Sequence, residues 1–147
     1  MISKQEAYTM KLEKKKLIVK REYKEVYKCE DGIVKIFEKD HPKADVFNEA
    51  LNTARVEATG LDIPCVKEVS QVDGKWAILI EYKEGTTLEE MMEADPGNLE
   101  KYMEDFVDLQ LEMHSKKAAR LNKLKDKLSA QINGLKELDA TTRYELL

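Results

Sequence analysis

Lys35 stands alone among apolar neighbours in the strand-prone run Ile33-Val34-Lys35-Ile36-Phe37. A lysine flanked this way is costly to bury without a partner. Further along, Glu49 falls on a predicted helix beside Val46 and Thr53, at i−3 and i+4, where a side chain can turn toward a sheet. A carboxylate there would offset the desolvation of the ammonium and aim it. The chemistry open to such a pair is the grip on an anionic phosphate tail by a rigidly held cation. The same spacing also allows Lys35 to face solvent and Glu49 to be a plain surface residue, and Lys28 and Glu57 are rivals for the two roles.

A second pole lies at Ile80-Glu81-Tyr82-Lys83-Glu84-Gly85, where a β-prone run gives way to helical sequence. Such a junction between layers is where a cleft forms. A purine ring there would need a flat apolar slot with one backbone carbonyl and one backbone amide. The Glu81 carbonyl and the Lys83 amide fit that need, with Tyr82 between them facing the other way. Ile18, Val26, Ile33 and Ile80 are the candidate ring contacts, and each taken singly reads equally well as ordinary core.

The elements that must position these residues follow from pattern. Lys16 to Lys20, Val26 to Cys29 and Ile33 to Phe37 read as three strands, with an Asp31-Gly32 turn signal between the last two. Tight turns suit antiparallel neighbours, since parallel ones need long crossovers. Ala44 to Thr59 reads as a helix whose stripe is Phe47, Ala50 with Leu51, Ala54 and Ala58, ending at Gly60. Lys67 to Val72 and Lys75 to Tyr82 then make a second hairpin through Asp73-Gly74. Beyond Gly85 the pattern is helical: a capping box at Thr87-Leu88-Glu89-Glu90, a break at Asp95-Pro96-Gly97-Asn98, and a long helix from Leu99 to about Ser115. A third helix is expected over Leu121 to Leu138, with Gly134 as a weak point, and a fourth opens at Thr142.

The chain has 147 residues, a formal net charge of −4 and 37% charged residues. Acids match the bases and aromatics are few, so the composition predicts a soluble protein with no general attraction to nucleic acid or anionic membrane. No segment approaches the roughly 18 apolar residues needed to span a bilayer. Met1 to Lys16 lacks the apolar core of a secretory signal. Cys29 and Cys65 have no CxxC spacing and read as free thiols of a reducing compartment, so a cytoplasmic, metal-free chain is expected.

Taken in order, these segments resemble the aminoglycoside phosphotransferase-like, or choline-kinase-like, family of small-molecule kinases, which share the bilobal protein-kinase fold. The matching stretches are Glu25 to Lys28, Asp31 to Phe37, the helix with Glu49, Gly60 to Val66, Leu79 to Leu88 and Met113-His114-Ser115. The likeness runs from about residue 16 to residue 147 as an ordered series and is weak motif by motif. It implies that Lys35 contacts the phosphates of ATP, that Glu49 is its helix partner and that Glu81 to Lys83 is the hinge reading adenine. Two departures stand out. The loop over the phosphates, Lys20 to Lys24, has no glycine, the residue that lets backbone amides approach phosphate closely. The family's histidine-glycine-aspartate loop and its metal-binding aspartate would lie past Leu147.

The expected architecture is α+β: a five-stranded antiparallel sheet with one packed helix, like a kinase N-lobe, over residues 1–84, then helices opening a second lobe over 85–147. The expected function is the nucleotide-binding part of an ATP-dependent small-molecule phosphotransferase. ATP with Mg²⁺ would bind weakly or not at all, and phosphate transfer by this chain alone is not expected. The phosphate acceptor would be a small molecule met by the full-length protein. Uncovered apolar stripes at Leu124, Leu128 and Ile132 would favour homo-oligomers. That leaves a dimeric interaction module or pseudokinase-like regulatory domain as the rival, and beyond it a plain ligand-binding domain in which Glu49 points away from Lys35.

Overall fold

The computed structural model describes residues 10, 12, 14–118 and 120–147. Three strands come first: β1 (Lys16–Lys20), β2 (Lys24–Cys29) and β3 (Gly32–Phe37). Helix α1 (Lys43–Glu57) follows, then β4 (Val66–Val72) and β5 (Lys75–Ile80). The five strands form one antiparallel sheet in the order β1-β2-β3-β5-β4. Helices α2 (Leu88–Ala94), α3 (Leu99–Ser115), α4 (Leu124–Gly134) and α5 (Ala140–Leu146) complete the chain. The α+β arrangement is therefore the one expected, although β2 starts earlier and β5 ends at Ile80, two residues short of Tyr82. The part of the front unit before residue 10 lies outside the described residues.

The two hairpins use their Asp-Gly pairs differently. Asp73 and Gly74 are both left-handed, with φ of 52° and 77°, the turn whose twist matches the strands it joins. In the first hairpin Glu30 and Asp31 make the turn, and Gly32 is already in β3, paired with Cys29. Its φ is 146°, and a Cβ there would run into the Ile80 carbonyl of the neighbouring strand. Gly32 is thus demanded by strand packing and not by the turn.

Each sheet face has its own core. Val34, Ile36, Ala77, Leu79, Val72 and Cys29 fill one, with Met10 and Leu12 laid over them. The Met10 amide donates to the Gln71 carbonyl at 2.8 Å, which fixes that strap to β4. The other face carries Phe37 and Ile78 against Val46 and Ala50 of α1. The expected α1 stripe is corrected here. Val46 and Ala50 are buried, while Phe47 and Leu51 are 43% and 49% exposed and Ala54 and Ala58 are exposed too. Phe37 and Ile78 already occupy the space beneath the helix, so only small side chains fit there. Phe47 meets the edge of Trp76 instead, with centroids 5.2 Å apart.

Beyond the sheet, Thr87 caps α2 with the reciprocal bonds its sequence requires: its hydroxyl accepts from the Glu90 amide, and the Glu90 carboxylate accepts from the Thr87 amide. The expected helix over Leu121 to Leu138 is shorter. It ends with Gly134 as its last helical residue, a poor helix former that weakens the final turn, and Leu135 turns to an extended conformation. Asp139 then starts α5 by accepting from the Thr141 and Thr142 amides. No residue of α2–α5 is buried. Leu124 and Leu128 are exposed as expected, while Ile132 is half-buried.

Candidate functional site

Antiparallel register decides which side chains share a face. Val26 pairs with Lys35, Ile33 with Ile80, and Lys35 with Ile78, so all five project from the side of the sheet that carries α1. Glu49 follows Val46 by one helical turn and lies on the same flank of α1. Its carboxylate meets the Lys35 ammonium at 2.9 Å. Spacing left this contact open and the family resemblance implied it; it is present, and both rivals are elsewhere. Lys28 holds its ammonium 3.7 Å over the Tyr82 ring, and Glu57 is exposed at the end of the helix.

One participant was missed. Lys24, at the start of β2, reaches the same carboxylate, with its ammonium 2.9 Å from Oε2 and 3.1 Å from Oε1. The register pairs Lys24 with Phe37, two residues from the Val26–Lys35 pair, which puts both lysines on one face. The Lys24 ammonium also lies 5.2 Å from the centre of the Phe37 ring. Two cations therefore share one anion on a half-buried floor, the three side chains being 26% to 31% exposed.

Burial pushes the Glu49 carboxyl up, but the hydrogen bonds from Lys24 and Lys35 outweigh it and hold the group below its ordinary value of 4.5. A carboxyl depressed on folding stabilises the fold above its unfolded pKa, and that contribution disappears as pH falls through the folded pKa. Glu49→Gln should therefore be less stable than the parent near neutrality, and the gap should close as pH falls below about 4.5. Urea midpoints measured from pH 7 down to pH 3 test this; a gap constant across that range would refute it.

At the β5 end, Val26, Ile33 and Ile80 are half-buried and form an apolar floor beside Lys35. Ile18 does not join them in the expected way. It is the extra residue of a β-bulge, 53% exposed, and Val19 takes the place opposite Val26. After Ile80 the chain is tied to the segment leading into β4. The Glu81 amide donates to the Cys65 carbonyl at 2.9 Å and the Cys65 amide donates to the Glu81 carboxylate at 3.3 Å. Lys83 bridges Glu81 at 3.3 Å and Asp62 at 2.8 Å. The Cys65 amide, with Lys83 behind it, holds the Glu81 carboxyl below its usual range, and Asp62 holds the Lys83 ammonium above its own. Asp62 and Cys65 thus brace the junction, a role their sequence positions did not reveal.

The Lys24 and Lys35 ammonium groups thus lie beside an apolar floor made by Val26, Ile33 and Ile80. Among the described residues, no group of three or more His, Cys, Asp or Glu could hold a metal ion. Cys29 and Cys65 are free. Among the described residues no helix is long and apolar enough to cross a membrane. An open groove of about 410 Å³ lies on the far side of α1, lined by Leu51, Ala54, Arg55, Ala58, Lys117, Ala118 and Arg120, away from Glu49. No protein-family model matches the chain, and no curated protein matches it either.

Proposed function

We propose that this chain is the nucleotide-side part of an ATP-dependent small-molecule phosphotransferase of the aminoglycoside phosphotransferase-like or choline-kinase-like kind. The observation that carries the reading is the Lys35–Glu49 ion pair between β3 and α1. It sits beside a half-open aliphatic floor that leads into a braced junction between sheet and helices. On this reading Lys35 meets the α and β phosphates, Glu49 aims it, and the Glu81 to Lys83 backbone takes the adenine edge. Phosphoryl transfer depends on positioning and charge, and the residues described supply the nucleotide's half of both. The acceptor would be a small molecule held by other parts of a complete enzyme. Neither acid-base nor metal-holding groups are proposed within this chain.

Mg-ATP should bind with millimolar affinity, and Lys35→Ala should weaken ATP binding about tenfold or more while leaving adenosine binding nearly unchanged. Calorimetry or NMR titration of both proteins decides it. Tight binding that ignores the Lys35 substitution would overturn the reading, as would a complete indifference of the parent chain to adenine nucleotides.

One observation favours a second reading, a helical interaction module. Helix α3 displays Leu99, Met103, Phe106, Val107 and Met113, each at least 40% exposed, and no residue of α2–α5 is buried. An apolar stripe of that length left in water usually marks a contact surface. Sedimentation of the parent chain should then show concentration-dependent dimers, and Met103→Asp with Phe106→Asp should return it to monomer. A parent that stays monomeric at high concentration would dispose of self-association.

A further inference from the structure

The phosphate-side loop lacks the glycines that would let backbone amides wrap an anion, and the structure places a side chain there that could do the same work. The turn before β2 closes with the Arg21 amide donating to the Lys24 carbonyl at 2.8 Å, so Lys24 is held at the base of that loop. From there its ammonium lies over the Phe37 ring and reaches both oxygens of Glu49. Lys35 reaches one of the same oxygens. Two ammonium groups that converge on a single carboxylate oxygen repel one another, and the cluster keeps one uncompensated positive charge on a partly desolvated floor. A second anion is the species that relieves this. A carboxylate from a neighbouring residue would already have been drawn in; among the described residues, Glu49 is the only acid paired with either lysine.

We propose that Lys24 is a second phosphate ligand, and that with Lys35 it forms a two-cation grip for a polyphosphate, with Glu49 as the shared counter-ion. The ligand class is a molecule with two or more adjacent phosphates, such as a nucleoside di- or triphosphate. The proposal rests on the nucleotide reading above and goes beyond it. It assigns to a side chain the role that backbone amides of a glycine-rich loop would otherwise fill. No covalent step is involved: Lys24 trades part of its contact with Glu49 for phosphate oxygens, while Lys35 keeps its strand-held position. The ammonium of Lys24 remains attached to a fixed backbone, so only its terminal torsions need to change.

The test is an NMR titration of the full chain with ATP, ADP, AMP, adenosine and tripolyphosphate, each without Mg²⁺. Lys24→Ala, Lys24→Met and Lys24→Arg are compared with Lys35→Ala. Lys24→Met keeps an apolar stem of similar length, so it guards against loss of fold, which circular dichroism checks independently. We expect Lys24→Ala and Lys24→Met to weaken ATP and ADP about tenfold, with adenosine unchanged and Lys24→Arg close to the parent. Tripolyphosphate losing affinity in parallel would identify the phosphates as the group gripped; ATP losing it while tripolyphosphate never binds would show that the base is needed to seat them. Unchanged or tighter ATP binding by Lys24→Met would overturn the proposal and leave the Lys35 reading standing. Failure of the parent to bind ATP at all would overturn both readings, whereas a parent that binds, weakened by Lys35→Ala but not by Lys24→Met, overturns the Lys24 proposal alone.

Discussion

Gly32→Ala should cost the fold about 3 kcal/mol or more, the largest loss expected from a single methyl anywhere in the sheet. The added Cβ would meet the Ile80 carbonyl, a backbone atom of the adjacent strand that cannot swing aside as a side chain could. The φ of 146° adds strain for any residue with a Cβ. Relief would require β3 and β5 to part at Ile33–Ile80, the end of the sheet nearest the apolar floor and the junction at Glu81. Against a typical domain stability of about 5–15 kcal/mol, that is enough to leave a large unfolded fraction in mild denaturant. Gly74→Ala is the matched control. Gly74 also has a left-handed φ, but open space surrounds it, so about 1 kcal/mol is expected. Urea unfolding followed by circular dichroism compares them, and equal midpoints for the two variants would refute the packing argument.

Ile78→Ala should cost about 2–4 kcal/mol. Ile78 is 1% exposed, pairs with Lys35 across the strands, and packs with Phe37 against Val46 and Ala50. Those two small residues are the buried part of α1, so the cavity would open directly beneath the helix that carries Glu49. The loss should appear both in global stability and in faster hydrogen exchange along α1. Leu128→Ala removes as many atoms from a side chain that is 47% exposed and should stay within about 0.5 kcal/mol of the parent. Should Ile78→Ala prove equally mild, α1 would be held by contacts other than this core.

The legible parts of the fold were those set by short-range chemistry. The Asp73-Gly74 turn, the Thr87 capping box and the short apolar run at Ile33 to Phe37 each carry their own instruction, and each element formed where its residues indicate. The orientation of α1 was not legible in the same way. Phe47, Leu51, Ala54 and Ala58 make a good helical stripe, but Phe37 and Ile78 decide which side of the helix can approach the sheet. Gly134 gave a hint that α4 would stop, and Asp139 completed it. At the candidate site, the cost of burying a lone ammonium made Glu49 one candidate partner for Lys35 among several, and the ordered resemblance singled it out. Neither pointed to Lys24, because its relevance depends on strand register and one residue of slip would turn it to the opposite face. The bulge at Ile18 is the same lesson on the neighbouring strand.

The sheet also records an order of assembly. β1 with β2, β2 with β3, and β4 with β5 are each joined by tight connections, whereas β3 and β5 are brought together across the whole of α1. Local hairpins form within microseconds, and closing a long loop must await them because its entropy is lost before its contacts are gained. The two halves of the sheet should therefore exist before the seam between them. Trp76, the single tryptophan, lies on β5 and touches Phe47 of α1, so its fluorescence reports the moment of closure. Ile78 sits on that seam, and its truncation should slow the refolding trace as well as lower the equilibrium. Lys35 would meet Glu49 only at the end, so that the ion pair between β3 and α1 is among the last contacts the chain makes.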